Sequence, residues 1–484
     1  MTVAVEQAGG REPRVDAKLV KLGVVVMLGI IVSVIDGTVM VVALDTVRRE
    51  FAASTGTVQW VTGAYLLATC VAIPASGYAV NRFSARTVWL AALAAFLVAS
   101  VLCGIAWSVS SLIGFRIVQG LSGGFIGMVA TIVLTRAAGP ERAGRAFSMV
   151  AVPSSLAPVL GPVAAGAVLD AASWRWLFYG QVPLLVVALV AAARLLPHDA
   201  KDPSARLDWT GLLLLAPGLS ALVFGLSTVA DAGTSGADAL TAPEVIGPIV
   251  AGLLLIAGFV VHALRRRATS IIDVRLFGNR NFNVAGGLLF IAGFLLYGLL
   301  FLIPLYYQQV VGLSATAAGA LLAPQGLGMG IAATVVGSWS DRLGARPVVL
   351  GGLLLTAAGT LPFVFADAQP HDLLLAVALV VRGVGLAAVS IPLSATLYQA
   401  GLPQESIPHI ATASAVSMRL GGAFGGAAAA VVLQVAATSV AGVGASSGAS
   451  LPPEAFTVAF GAMTGLLVAP FLLALFLPGR RRAP

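Results

Sequence analysis

The sequence predicts an all-α integral membrane protein of fourteen transmembrane helices, arranged as two six-helix bundles with a two-helix insert between them. Three observations carry this reading. Of the 484 residues, 58% are apolar and only 10% are charged. A soluble domain carries roughly 25% charged residues, so lipid must solvate most of this chain. Fourteen segments reach the roughly 20 mostly apolar residues that a spanning helix needs. Lys and Arg also fall almost entirely on alternate connections between those segments.

In chain order the spans are 22–47, 58–80, 86–107, 109–135, 146–169, 176–196, 209–230, 244–264, 282–307, 316–339, 347–366, 373–398, 409–436 and 455–477. The polar residues before span 1 do not resemble a signal peptide: the apolar stretch is too long and no small-residue cleavage site follows it. With the N-terminus inside, only Arg48, Arg49 and Arg175 fall on outside connections. Arg116, Arg382 and Arg419 lie within spans, and the rest of the 28 Lys and Arg lie on cytoplasmic segments. Positive residues favour the cytoplasmic side, so both termini are expected there, and an odd number of spans would destroy the alternation. Scarce Lys beside abundant Ala, Gly and Arg points to a GC-rich bacterial genome, hence to a bacterial cytoplasmic membrane.

A weak internal repeat organises the chain. Residues 77–86 read GYAVNRFSAR and residues 337–346 read GSWSDRLGAR, each on a short connection after the second span of its half. Span 4 carries Arg116 and span 12 carries Arg382, each followed by Gly-rich sequence. The expected division is a cytoplasmic tail (1–21), a first bundle (22–196), a linker with the two-span insert (197–280), a second bundle (281–477) and a short cytoplasmic tail (478–484). Repeated halves of this kind hold substrate between them near the bilayer midplane.

Several function classes drop out. The net charge of +8 is spread over short inter-span runs with no basic, aromatic-studded stripe, so nucleic acid is not a partner. None of Lys18, Lys21 and Lys201 sits in a Gly-Lys-Ser/Thr phosphate loop, which removes an ATP-driven pump within this chain. Four dispersed histidines suggest no metal site, and Cys70 and Cys103, both in apolar segments, are expected to be inert packing residues. A membrane enzyme would need clustered His, Asp, Glu or Cys at one depth, which the spans lack. No cofactor is expected.

Within the spans the carboxylates are few. Asp36 lies deep in span 1, whereas Asp45 and Asp170 sit near outer ends of spans; Asp45 is either a second acidic contact at the outer mouth or an interfacial residue. A charge at mid-bilayer costs about 2.5–3.5 kcal/mol or more, so an intramembrane acid is a functional candidate by default. At 1.5 Å per residue Asp36 is roughly 21 Å along span 1, and Arg116, entering from the opposite side, is roughly 10 Å below the outer surface. In a core about 30 Å thick the two share a depth, and Arg382 lies at comparable depth on span 12. Desolvation favours the neutral form of a carboxyl and a neighbouring guanidinium favours the ionised form. An acid that alternates between Arg pairing and protonation can therefore carry a proton, though the same pair could be a static packing device. In span 5, APVLGPVAAG (157–166) offers Gly161, Ala165 and Gly166 for close helix approach and Pro162 for a kink.

These segments resemble the major facilitator superfamily, and within it the fourteen-span drug:proton antiporter branch. SVIDGTVMVVAL (33–44) resembles the span 1 motif, with Asp36 at its acidic position. LIGFRIVQGLSGG (112–124) resembles the span 4 motif, with Arg116, Gln119 and Gly120 in place, and APVLGPVAAG is similar to the span 5 antiporter motif. SWRWLFYGQVPL (173–184), PLYYQQVVGLSATAAGALLAP (304–324) and RLGGAFGG (419–426) complete an ordered set covering about 20–477. The resemblance implies a monomeric exporter driven by inward proton flow, with Asp36 and Arg116 as the coupling pair and Gly161, Pro162 and Gly166 as the antiporter motif. It also implies gating by Arg82, Arg86, Asp341, Arg342 and Arg346. Departures stand at Asn81 and Ser84, where the gate motif normally has Asp and Gly, and at Val41 and Asp45, where span 1 usually has Asn and Pro. Substrates of this branch are hydrophobic drugs, dyes and antiseptics. With no acid inside spans 9–14, neutral, monocationic or zwitterionic compounds are expected. Candidate wall residues are Trp60, Tyr65, Gln119, Phe294, Tyr297, Tyr306, Tyr307, Gln308, Arg382 and Arg419. A dedicated exporter of one native metabolite, antibiotic or lipid, or a facilitator or importer of the same fold, stays open as an alternative.

Overall fold

The computed structural model describes residues 17–138, 161–196, 207–231, 242–266, 274–365, 371–398, 407–441 and 451–477. Thirteen helical spans in these residues are long and apolar enough to cross a membrane. They are α1 (Ala17–Glu50), α2 (Thr55–Phe83), α3 (Ala85–Gly104), α4 (Val109–Ala138), α6 (Trp176–Leu195), α7 (Trp209–Asp231), α8 (Pro243–Arg265), α9 (Arg280–Gln309), α10 (Ala315–Leu343), α11 (Ala345–Val364), α12 (Asp372–Tyr398), α13 (Ile407–Ala441) and α14 (Pro453–Ala474). The shorter apolar helix Gly161–Ala171 occupies the fifth place and is α5. The first part of expected span 5 lies outside the described residues. No strand occurs among the described residues, as the bilayer demands of any non-barrel chain.

The repeat is visible in the backbone. Ser84 joins α2 to α3 with φ 81°, ψ 148°, and Gly344 joins α10 to α11 with φ 89°, ψ 160°. These are the equivalent positions of the two decapeptides. The turn demands a backbone region open in practice to glycine alone, so glycine fits at 344 and serine is strained at 84. Ser84 offsets part of that strain by accepting a hydrogen bond from Thr87 N at 3.3 Å, which caps α3. Because glycine is only a few tenths of a kcal/mol worse as a cap, Ser84→Gly is expected to stabilise the protein by about 1–2 kcal/mol. A raised thermal-unfolding midpoint in detergent is the measurement; an unchanged or lowered midpoint contradicts the strain.

Three large apolar clusters show how the halves meet. One joins the C-terminal parts of α1 (Val39–Val47) and α9 (Leu299–Tyr307) with α13 and α14. The other two belong mainly to one bundle each. One takes the N-terminal part of α1 with α2, α3, α4 and α6; the other takes the N-terminal part of α9 with α11, α12 and α13. The two bundles therefore share their largest core at the end where α1 and α9 finish, the expected outer side, and α13 continues the contact beyond it: Ala423 and Ala427 join the first bundle's cluster, and Val416 packs with Cys70 and Ile73 of α2.

The insert forms a helical hairpin against the outside of this arrangement. Glycines let α7 and α8 approach closely: a Cβ at Gly252 would stand 2.8 Å from the Gly218 carbonyl oxygen. His262 Nε2 meets Asp208 Oδ1 at 2.7 Å, and Asp208 also accepts from Gly211 N, capping α7. α7 then packs on α2 and α13, so the insert touches both bundles.

Candidate coupling site

Asp36 is 1% exposed and Arg116 and Gln119 are fully buried. Arg116 Nη1 stands 2.5 Å from Asp36 Oδ2. The second oxygen, Oδ1, accepts from Gln119 Nε2 at 3.2 Å and from Gln181 Nε2 at 3.0 Å. A charge-assisted bond and two amide donors thus satisfy the carboxylate from three sides, the condition under which a buried charge is tolerated.

The surrounding groups fix these donors. Arg116 and Gln119 sit one turn apart on α4, so both reach the same face, and Arg116 Nη1 also donates to Gln119 Oε1 at 2.8 Å. Arg116 Nε donates to the Val61 carbonyl at 3.1 Å, and the guanidinium lies 4.3 Å from the centre of the Tyr65 ring. Tyr65 is held in turn by its hydroxyl, which donates to the Ser33 carbonyl at 3.0 Å. Gln119 Nε2 has a second acceptor in Ser100 Oγ at 2.9 Å. Gln181 arrives from α6, at the interruption of that span over Gly180 and Gln181 just before Pro183. Its Nε2 is shared with the Leu177 carbonyl at 2.8 Å. Its Oε1 has no partner, and neither has Arg116 Nη2.

The second half repeats the cation without the acid. Arg382 on α12 is fully buried. It donates to Gln325 Oε1 and, at 2.8 Å, to the Leu295 carbonyl of α9. Where α1 brings a carboxylate to Arg116, α9 brings a main-chain carbonyl to Arg382. No carboxylate among the described residues pairs with Arg382.

At the expected outer end, side chains seal the halves together. Gln309 Nε2 donates to Asp45 Oδ1 at 2.6 Å, Gln308 Nε2 donates to the Val42 carbonyl at 3.2 Å, and Asp170 Oδ2 accepts from Thr316 N at 3.3 Å. Gly166 of α5 packs on α10 so tightly that a Cβ would lie 2.5 Å from Thr316 Cα, and Gly319 is equally close to Pro162. Gly161 packs on Thr38 of α1. The glycines of the span 5 motif therefore bring α5 against α1 and α10. The three cations expected outside all meet carboxylates: Arg48 and Arg49 share Asp45, and Arg175 pairs with Glu50 at 2.7 Å.

Several expectations need correcting in position. Asp45, expected either as a second acidic contact or as an interfacial residue, is 4% exposed and is part of the seal. Trp60 does not face the space between the halves; it stacks toward Phe224 of the insert, ring centres 6.1 Å apart. Tyr306 and Tyr307 are buried and pack on Phe456, Phe460 and Phe363, because α14 and α11 cover that face of α9. Phe294 and Tyr297 lie at close α9–α13 contacts, against Gly425 and Gly422. Arg419 is half-buried and points from α13 toward α4, where a Cβ at Gly127 would stand 3.9 Å from its Nη2. At the opposite end Arg86 Nη2 donates to the Ala193 carbonyl at 2.6 Å. Arg82 is half-buried, while Asp341, Arg342 and Arg346 are exposed. Both cysteines are buried free thiols, and Cys103 Sγ lies 3.6 Å from Gln119 Oε1.

A chain of apolar spans in two repeated halves, with one buried carboxylate–guanidinium pair between the spans of the first, has the construction of a secondary transporter. Residues 26–430 and 286–483 match the Major Facilitator Superfamily, and the chain belongs to that family. It is 34% identical, over 97% of its own length and 93% of the relative's, to the multidrug resistance protein B homolog of Mycobacterium tuberculosis. It is 26% identical, over 81% of its length and 71% of the relative's, to the multidrug transporter protein MdtP of Bacillus subtilis. Among solved structures, the D-xylose-proton symporter aligns with a TM-score of 0.64 at 15% identity, covering 96% of this chain and 99% of that one. A bacterial homolog of the human lysosomal transporter Spinster aligns at 0.63 and 14%, covering 97% and 98%. These structural likenesses establish the fold, and the family match makes the protein a multi-pass membrane transporter of major-facilitator architecture.

Proposed function

We propose that this transporter is a proton-coupled antiporter that expels small lipophilic compounds, with Asp36 as the proton carrier and Arg116 as its counter-ion in the unprotonated state. The observation that carries the proposal is the closure of Asp36 by Arg116, Gln119 and Gln181, beneath a core that both halves share. On this reading the pairing of Asp36 with Arg116 beneath a sealed outer end corresponds to the antiporter after it has released its proton inward. Protonation from the outside, once the seal opens, would remove the charge that holds Arg116.

Gln181 supports the protonated state. A carboxylic acid at Asp36 must donate its proton to an acceptor. Rotation of the Gln181 amide presents its unpartnered Oε1 to that position, so one side chain serves both forms. The interior charges refine the substrate. Arg382 and Arg419 pair with no carboxylate among the described residues, and this supports a preference for neutral and zwitterionic lipophiles over monocations. Kinship with proteins named for multidrug resistance favours broad over dedicated export.

The test is efflux of a neutral lipophilic dye from proteoliposomes containing the full chain. A pH gradient that drives protons opposite to the dye is expected to accelerate efflux, and a collapsed or reversed gradient to remove the acceleration. Gradient-independent efflux would make the protein a facilitator.

A further inference from the structure

Three guanidiniums lie deep inside the described spans, and Arg419 differs from the other two. Arg116 is answered by Asp36, and Arg382 is fully buried against Gln325 and the Leu295 carbonyl. Arg419 keeps part of its surface accessible, and among the described residues no hydrogen bond or ion pair engages its guanidinium. At 1.5 Å per residue it stands roughly 15 Å along span 13. That is the middle of a core about 30 Å thick, and inward of Asp36. A charge kept at such a depth marks a functional site by default.

The side chain faces the first bundle. Gly421 and Gly425 press α13 on the α9 backbone at Phe290 and Phe294. Arg419, Ala423 and Gly426 lie on another face, at i, i+4 and i+7. There Gly426 abuts Gln59 of α2, and Ala423 joins the apolar cluster of the first bundle. Opposite Arg419 stands Gly127 of α4, where an added Cβ would be 3.9 Å from Nη2. Both residues are partly accessible, so space remains between α4 and α13 at this level. The charge is within coulombic reach of Tyr65 on α2 and Tyr297 on α9. Arg419 therefore sits between the halves, where repeated-half transporters hold their cargo.

We infer that Arg419 is a specificity determinant that binds the ionised acid group of a lipophilic substrate, so the preferred cargo is a carboxylate-bearing amphiphile, zwitterionic or anionic. The inference rests on the export reading only in calling this ligand cargo. A guanidinium presents paired N–H donors that match a carboxylate bidentately. Met128 of α4 and Leu420 of α13 are half-buried apolar side chains beside the position, which suits the lipophilic remainder of such a molecule. Asp36 cannot supply the missing counter-charge here, because Arg116, Gln119 and Gln181 occupy its oxygens. A lone cation would meet like charge at this point, and a phospholipid phosphate belongs at the bilayer surface rather than at mid-depth.

The experiment uses the purified full chain in phosphatidylcholine nanodiscs at uniform pH in gluconate buffer. The probe is tritiated 4-phenylbutyrate, read by scintillation proximity, with empty nanodiscs subtracted for partitioning into lipid. Saturable binding is expected, displaced by unlabelled 4-phenylbutyrate and not by the neutral isostere 4-phenylbutyramide. Arg419→Gln is expected to weaken binding by about 10- to 100-fold, the loss of a charge-assisted pair. Arg419→Lys, which keeps the charge without the planar fork, should recover part of that loss. Should Arg419→Gln not fold, the comparison of acid with amide on the wild type still decides. Absence of saturable binding, equal displacement by the amide, or binding unchanged in Arg419→Gln overturns the inference. So does complete displacement by an equal concentration of chloride, which would make Arg419 an inorganic-anion site. Binding at uniform pH needs no proton coupling. Carboxylate binding without gradient-driven efflux would sink the antiport reading alone, and gradient-driven efflux without carboxylate binding would sink this inference alone.

Discussion

Arg116→Leu is expected to destabilise the protein by about 3–5 kcal/mol, the cost of leaving one member of a buried ion pair without its partner. The pair is fully desolvated, with Arg116 unexposed and Asp36 1% exposed. Without the guanidinium, Asp36 retains only the two amide donors at 3.0 and 3.2 Å, too little to hold an ionised carboxylate in an apolar interior. The variant should therefore take up a proton at Asp36 or lose its fold. A double-mutant cycle separates these outcomes. Asp36→Asn combined with Arg116→Leu removes both charges, so the double variant should recover much of the stability lost by Arg116→Leu alone. Additive losses in detergent thermal unfolding would mean that the two residues are not energetically coupled.

Asp36→Asn leaves the buried Arg116 guanidinium without its counter-charge, so it is expected to lower stability as Arg116→Leu does, while staying folded and losing coupling. Asparagine retains an acceptor for Arg116, and its amide donor can be met by the unpartnered Gln181 Oε1 after that side chain rotates. What is lost is the exchangeable proton. Proton-driven transport should fall to the level of protein-free vesicles, while substrate binding and energy-independent exchange persist. Loss of folding in this variant would instead assign Asp36 a packing role.

Much of this arrangement was legible in the sequence. Hydropathy found the spans because the bilayer enforces a length on each of them, and depth along two antiparallel helices was enough to bring Asp36 and Arg116 together. The Ser84/Gly344 correspondence was visible as a repeat, although its backbone geometry was not. Gln181 was missed because a single glutamine near a helix entry has no pattern of its own; its role comes from the interruption of α6 at Gly180 and Gln181, which carries the side chain into the site. The interruption does have a sequence trace in Gly180 and Pro183. Gln309 and Asp45 form a bond between halves 264 residues apart, and no local periodicity reports such a contact. The aromatic wall was placed too generously for the same reason. An apolar helix is apolar all round, so the sequence could not say that Trp60 faces the insert or that Tyr306 and Tyr307 face α11 and α14. Asp208 and His262 stand 54 residues apart, and only the insert hairpin brings them together.

The account stands on Asp36 as the proton carrier. Substrate-induced proton movement in everted membrane vesicles, compared between wild type and Asp36→Asn at equal protein level, tests that directly. The wild type should release interior protons when substrate is added to energised vesicles, and Asp36→Asn should give no signal above vesicles lacking the protein. Wild-type-like proton movement in Asp36→Asn would contradict the account and leave the buried pair a structural feature of the first bundle.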